Sequence, residues 1–302
     1  MRKAISGGLS AVAALLLMGG GASAREARPA DASVASPALW MARDADTTIY
    51  LFGTVHVLKP GVRWFEGAVK HAFDRSEELV LEIIEPESPA AMAAIIGTRA
   101  IATDGVALSE RLEPAGREGY KAAMTANGLP WQSFETMEPW MAGMALSVAP
   151  LERLGYRSDL GVEKMLATAA RTAGKRVGAL ETPEQQIGYF DTLPMAQQLS
   201  FLTATVTGLP DVERDFAMLI GHWASGEPDA LAAEMNESLE ATPELAKVLL
   251  YDRNARWAQW IKARMARPGV VFVAVGAGHL AGKGSVQAQM TALGVTSERV
   301  RK

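Results

Sequence analysis

The sequence predicts an α/β fold, a mainly parallel sheet flanked by helices and carrying a large helical insertion. Three observations lead there. The run "TTIYLFGTVHV" is followed by apolar residues at helical spacing and then by the apolar run "LVLEII", so strand, helix and strand succeed one another. A second passage is similar, with the helical "GVEKMLATAARTAGK" running into the short strand "RVGALE". Near the C-terminus, "GVVFVAVGAGH" is almost uniformly apolar, as a central parallel strand covered on both faces requires.

Taken in order, the chain opens on Arg2 and Lys3, an apolar run from Ala11 to Met18 and the small residues Ala22-Ser23-Ala24. This is the charged, apolar and A-x-A layout of a signal peptide, with cleavage predicted after Ala24. The apolar core is shorter than the ~20 residues a helix needs to cross a bilayer. Residues 25–38, rich in Ala, Ser, Pro and charge, read as a flexible linker, and a single domain is expected over 39–302.

"ALWMARD", the polar residues after it and "TTIYLFGTVHV" form a hairpin pattern. From Gly61 to Arg75, Val62, Phe65, Val69, Ala72 and Phe73 recur at helical spacing, so a βαβ unit with parallel pairing is expected. Residues 89–154 are Ala- and Met-rich and read as an insertion of helices broken at Pro114, Pro130, Pro139 and Pro150. Helices dominate from Pro183 to Ala266, and "SVQAQMTALG" supplies a last one.

With 302 residues, 49% of them hydrophobic and 21% charged, the composition is that of a folded globular chain. Removing Arg2 and Lys3 with the leader moves the formal charge from −4 to −6, which argues against nucleic acid as a partner. There is no cysteine for a disulfide or lipid anchor. An exported protein, periplasmic or secreted and without a stable membrane anchor after signal cleavage, is the expectation.

Four strand-like segments end in residues that can ligate metal or move protons: His56, Glu82, Glu181 and His279. In an open parallel α/β sheet the functional crevice lies beyond the carboxyl ends of the strands, so these residues are expected to converge. Both histidines follow a glycine at the same offset, Gly53-x-x-His56 and Gly276-x-x-His279, and each glycine is expected to let the chain turn sharply off its strand or approach a ligand closely. Glu82 interrupts an apolar strand, where an unpaired charge is costly, so a cation, a metal or a donor should stand beside it. His71 is expected in solvent, and His222 as a hydrogen-bonding residue on a helix flank. Walker, Rossmann, H-E-x-x-H and G-x-S-x-G patterns are all incomplete or absent.

On "LW…TTIYLFGTVHVL", "ELVLEI", "DLGVEKMLATAARTAGKRVGALET", "LYDRNARWAQWI" and "VVFVAVGAGHLAGKGSV…LGV", the chain from about Leu39 to Val300 resembles the TraB/PrgY/GumN family, related to the Tiki proteins. The resemblance implies a fold like the erythromycin-esterase/ChaN-type α/β domains. For Tiki relatives it implies a metal-dependent protease acting on peptide N-termini. The implied site is His56, His279 and Glu82, with Arg253 and Asn254 of "DRN" as companions, and Glu163 stands where the family favours Asp. Some bacterial members are discussed as peptide-pheromone binders or shutdown factors.

The leading expectation is an exported metal-dependent hydrolase acting on a peptide or protein. His56, His279 and Glu82 hold a divalent ion (Mn, Co or Zn), Glu181 accepts the proton and Arg253 stabilises the oxyanion. The rivals are a peptide-binding or sequestering protein without turnover, and metal-free ester hydrolysis with a histidine as general base. Metal identity and oligomeric state stay open.

Overall fold

The computed structural model describes residues 33–86, 88–240 and 243–301. The predicted leader and residues 25–32 of the predicted linker lie outside the described residues. The N-terminal half runs β1 (Ser33–Val34), β2 (Leu39–Arg43), β3 (Thr47–Thr54), β4 (Val62–Arg63), α1 (Gly67–Arg75) and β5 (Glu78–Leu81). Then come α2 (Pro89–Ala100), α3 (Pro114–Ala126), α4 (Pro139–Arg153), α5 (Val162–Thr172) and β6 (Arg176–Ala179). The chain closes through α6 (Pro183–Asp191), α7 (Met195–Gly208), α8 (Val212–Ser225), α9 (Pro228–Glu240), α10 (Pro243–Ala246), α11 (Asp252–Met265), β7 (Gly269–Gly276), α12 (Val286–Ala292) and β8 (Glu298–Arg299).

Six strands form one sheet in the order β6-β5-β7-β3-β2-β8, and helices flank it, so the fold is α/β. The four strands β6, β5, β7 and β3 run parallel, whereas β2 pairs antiparallel with both β3 and β8. The expected first βαβ unit differs in one respect: β3 and β5 are parallel but not paired, because β7 lies between them and pairs with both. The uniformly apolar strand takes the centre because helices cover both its faces.

Side-chain alternation divides the core. Tyr50, Phe52, Leu79, Leu81, Phe272 and Ala274 point to one face with α1, α5 and α6 residues such as Phe73, Leu166 and Phe190. Ile49, Leu51, Val80, Val271 and Val273 point to the other, against Trp257, Ala258 and Ile261 of α11 and Met290 of α12. Burying each such large apolar side chain contributes about 1.5–3 kcal/mol.

Three local expectations change. Residues 33–38 are part of the fold: Ser33 and Val34 pair with Val62 and Arg63, Ala35 N–H bonds the Arg63 carbonyl at 2.8 Å, and Ser36 N–H bonds that of Ala224 at 2.7 Å. The helix expected from Gly61 begins at Gly67, since Val62 and Arg63 are spent on that pairing. Pro150 lies inside α4 rather than ending it; it falls in the last turns of that helix, where only one backbone donor is lost. Pro114 and Pro139 do open helices. No helix among the described residues is long and apolar enough to cross a membrane.

Candidate functional site

Beyond the carboxyl ends of β3, β5 and β7 opens a pocket of about 810 Å³, lined by Thr54, His56, Leu81, Glu82 and Ala274 from the sheet side. Thr54, Leu81 and Ala274 share the strand parity of the α5-side core, while Glu82, one residue past β5, has the parity of Val80 and leans toward α11. Glu82 therefore touches two environments, the pocket in front and a buried ionic layer behind.

In front stands His56. Its Nδ1 is 2.8 Å from Oε1 of Glu163, which lies in the first turn of α5. This contact is built by close backbone approach: Val162 N–H bonds the Val55 carbonyl at 3.0 Å, and a Cβ on Gly161 would stand 2.5 Å from the His56 carbonyl oxygen. Any residue larger than glycine at 161 would push the helix N-terminus off the histidine. A carboxylate on Nδ1 fixes the proton there, which leaves the Nε2 lone pair free. His56 Nε2 and Glu163 Oε2 are both buried with no hydrogen-bond partner among the described residues.

Burial pulls the His56 pKa down, but Glu163, by charge and by hydrogen bond, and then Glu82 and Glu85 outweigh it, so the value is raised above 6.5. Burial also raises Glu85, against Lys164, whose Nζ lies 3.6 Å from Glu85 Oε2. Both line the pocket.

Behind stands Arg253, 2% exposed at the start of α11. Its Nη2 donates to Glu82 Oε2 at 2.5 Å and to Glu181 Oε2 at 2.9 Å. Its Nε donates to the Glu181 carboxylate at 3.0 Å, and Nη1 donates to the Leu249 carbonyl at 3.1 Å and to His279 Nε2 at 3.2 Å. All five guanidinium N–H groups are thereby used. Glu82 also accepts from Gly276 N–H at 2.6 Å and from Gln186 Nε2 at 2.9 Å. Glu181 accepts further from Trp257 Nε1 and Tyr189 OH, each at 3.1 Å.

His279 is held at both nitrogens, with Nδ1 donating to Asn254 Oδ1 at 2.6 Å and Nε2 accepting from Arg253. Asn254 is oriented in turn by its Nδ2 bond to the Gly284 carbonyl at 2.8 Å. Burial first, and Arg253 second, press the His279 pKa down to about 3. Its 3.7 Å approach to Glu82 is thus no ion pair near neutral pH. For Glu82, burial raises the pKa but Arg253 leads a larger opposing set, and it falls to about 2.

The structure thus brings the six predicted residues together as two layers, and it changes several roles. His56 and Glu82 line the pocket; His279, Glu181, Arg253 and Asn254 do not. Arg253 has no N–H left for an oxyanion, Glu181 is filled by donors instead of awaiting a proton, and Asn254 positions His279. The expected metal set does not fit this arrangement, since the His279 Nε2 lone pair is taken by Arg253, and Glu82 accepts from Arg253 and Gln186 at Oε2 and from Gly276 N–H at Oε1. No group of three or more His, Asp or Glu among the described residues is placed to hold a metal ion. Neither Gly53 nor Gly276 has positive φ, and at Gly276 the chain leaves β7 for a short 3-10 turn, Ala277–Leu280, that carries His279. Gly53 serves close approach, as its Cβ would stand 3.0 Å from Ala277 Cα.

Sequence reasoning noted Glu163 only as a departure from a pattern and missed its pairing with His56. The available signal was Gly161-Val-Glu163 opening a helix directly before a strand of the same sheet. Gln186, which bridges Glu82 and Glu181 at 2.9 and 3.2 Å, carried no signal. His71 is exposed, and His222 Nδ1 lies 3.2 Å from Glu227.

A model of the TraB/PrgY/gumN family matches residues 38–299. An uncharacterized Escherichia coli (strain K12) protein, YbaP, is 29% identical over 180 residues, 60% of this chain and 66% of its own length. The chain thus aligns with just under two thirds of that relative. An uncharacterized protein of Treponema pallidum (strain Nichols) is 21% identical over 82% of this chain and 78% of its own length. No solved structure matches the chain.

Proposed function

This chain belongs to the TraB/PrgY/gumN family, and we propose that it is an exported hydrolase that attacks a peptide-type carbonyl with His56 as general base. One observation carries the reading: a buried imidazole whose Nδ1 is fixed by Glu163 presents an unpartnered Nε2 beside a large pocket. A base so held can take a proton from water as it adds to a carbonyl and return it to the amine that leaves as the C–N bond breaks, and Glu163 beside it raises its pKa above the ordinary 6.5. Lys164, next to Glu163, and Arg171 line the same pocket and are cations available to the charge that develops on the carbonyl oxygen.

The pocket wall favours an apolar substrate group. Met92, Ile96, Met141, Met144, Val148 and Ile187 line it, and among the described residues no Phe, Tyr or Trp does. Methionines adapt to side chains of differing shape, as a peptide-binding wall requires. Export rests on the charged, apolar and A-x-A leader. No step is routed through a metal ion, because the expected ligands are committed elsewhere.

The test incubates mature protein with a peptide library, with and without chelator, and reads products by mass spectrometry. Chelator-resistant cleavage lost in His56→Ala is the expected result. Cleavage that survives His56→Ala would sink the proposal, and saturable binding without product would favour the sequestering reading.

A further inference from the structure

We infer that Arg253 is the resident cation of the buried layer, standing where a divalent ion would otherwise balance Glu82 and Glu181. The inference goes beyond the role of His56 and does not depend on it. Two carboxylates and an imidazole lone pair converging on one buried point form the donor set of a cation site, and here every one of them is aimed at the guanidinium, at 2.5 Å from Glu82, 2.9 Å from Glu181 and 3.2 Å from His279 Nε2.

Three further features fit a guanidinium better than an ion. The contacts to Glu181 run from both Nε and Nη2, the two-pronged geometry that a planar fork makes with a carboxylate and a spherical ion does not need. The guanidinium carbon lies 4.7 Å from the Trp257 ring centroid and 5.5 Å from that of Tyr189, so the cation is flanked by aromatic faces. Asn254, the next residue on α11, turns the Nε2 lone pair of His279 toward Arg253 by accepting the Nδ1 proton. "DRN" is then one device, in which the arginine supplies the charge and the asparagine aims the histidine at it.

The consequence is that the wild-type fold carries its own counter-charge, whereas a chain lacking Arg253 is left with a hole of divalent-site chemistry. The experiment has two arms. In the first, the metal content of purified wild-type protein is measured by mass spectrometry, and its melting temperature is recorded before and after dialysis against EDTA. The expected result is a substoichiometric trace of metal and an unchanged Tm; one ion per chain with a fall in Tm on chelation would overturn the inference.

In the second arm, Arg253→Ala is melted alone, with millimolar guanidinium chloride, and with manganese or zinc. A loss of ~10 °C or more is expected, partly recovered by guanidinium or by a divalent ion that leaves wild type unmoved. An Arg253→Ala protein as stable as wild type would contradict it. If that variant does not fold, Arg253→Lys keeps the charge without the fork and is expected to melt between wild type and the unfolded variant; equality with wild type would contradict the role of the fork.

Discussion

The two G-x-x-H elements look alike in the sequence and end in opposite states. His56 keeps one nitrogen free beside the pocket, has a carboxylate on the other, and its pKa rises. His279 is fully buried with both nitrogens engaged, faces a guanidinium, and its pKa falls to about 3. What separates them is the neighbour that each helix supplies: α5 brings Glu163 to one, α11 brings Arg253 and Asn254 to the other. A motif thus places a histidine at the carboxyl end of a strand, and the helix packed against it decides whether that histidine can react.

Substitutions in the two layers should therefore fail in different ways. The largest stability loss is expected for Arg253→Met, which leaves Glu82 and Glu181 buried without their cation and should cost about 3–5 kcal/mol in urea unfolding. His279→Ala comes next at about 2–4 kcal/mol, from the cavity and the unpartnered groups of Asn254 and Arg253. His56→Ala should cost less stability yet lower the cleavage rate by about 10²–10⁴. Equal stability losses for the two histidine variants would erase the distinction.

Gly161→Ala tests the backbone contact that seats Glu163, with an expected loss of about 1–3 kcal/mol and a weakened His56 pair. The smallest change is Glu163→Gln. Because a base must be deprotonated, the rate should rise with pH through the His56 pKa, and removing the charge that raises this value should move the rising limb to lower pH. An unshifted limb would remove Glu163 from the account.

The layers also differ in how pH acts on stability. Glu82 and His279 have depressed values, so their contributions are complete above about 4.5 and 6.5 and are lost as pH falls toward about 2 and 3. His56 has a raised value, so its contribution is complete below 6.5 and is lost as pH rises through the folded value. Thermal melts against pH should show acid loss dominated by the buried layer, and that loss should shrink in His279→Ala.

Much of the fold was legible because strand runs such as Gly269–Gly276 are apolar on both faces and helical spacing marks α1 and α5. The insertion of β7 between β3 and β5 was not legible, since periodicity carries no pairing partner. At the site, His56, Glu82, Glu181 and His279 were visible as polar residues at strand ends. The division of labour among them was hidden, because it depends on which side chain of α5 or α11 arrives opposite each one. Arg253 read as an oxyanion donor only while its five N–H bonds were unknown.

The most direct test of the central contrast is an NMR titration of the histidine rings in the intact protein, with His71 and His222 assigned by substitution. The account predicts that His56 titrates above 6.5 and that His279 stays a neutral Nδ1–H tautomer until acid unfolding. A His279 ring that titrates near 6.5, or that shifts on adding manganese or zinc, would contradict it.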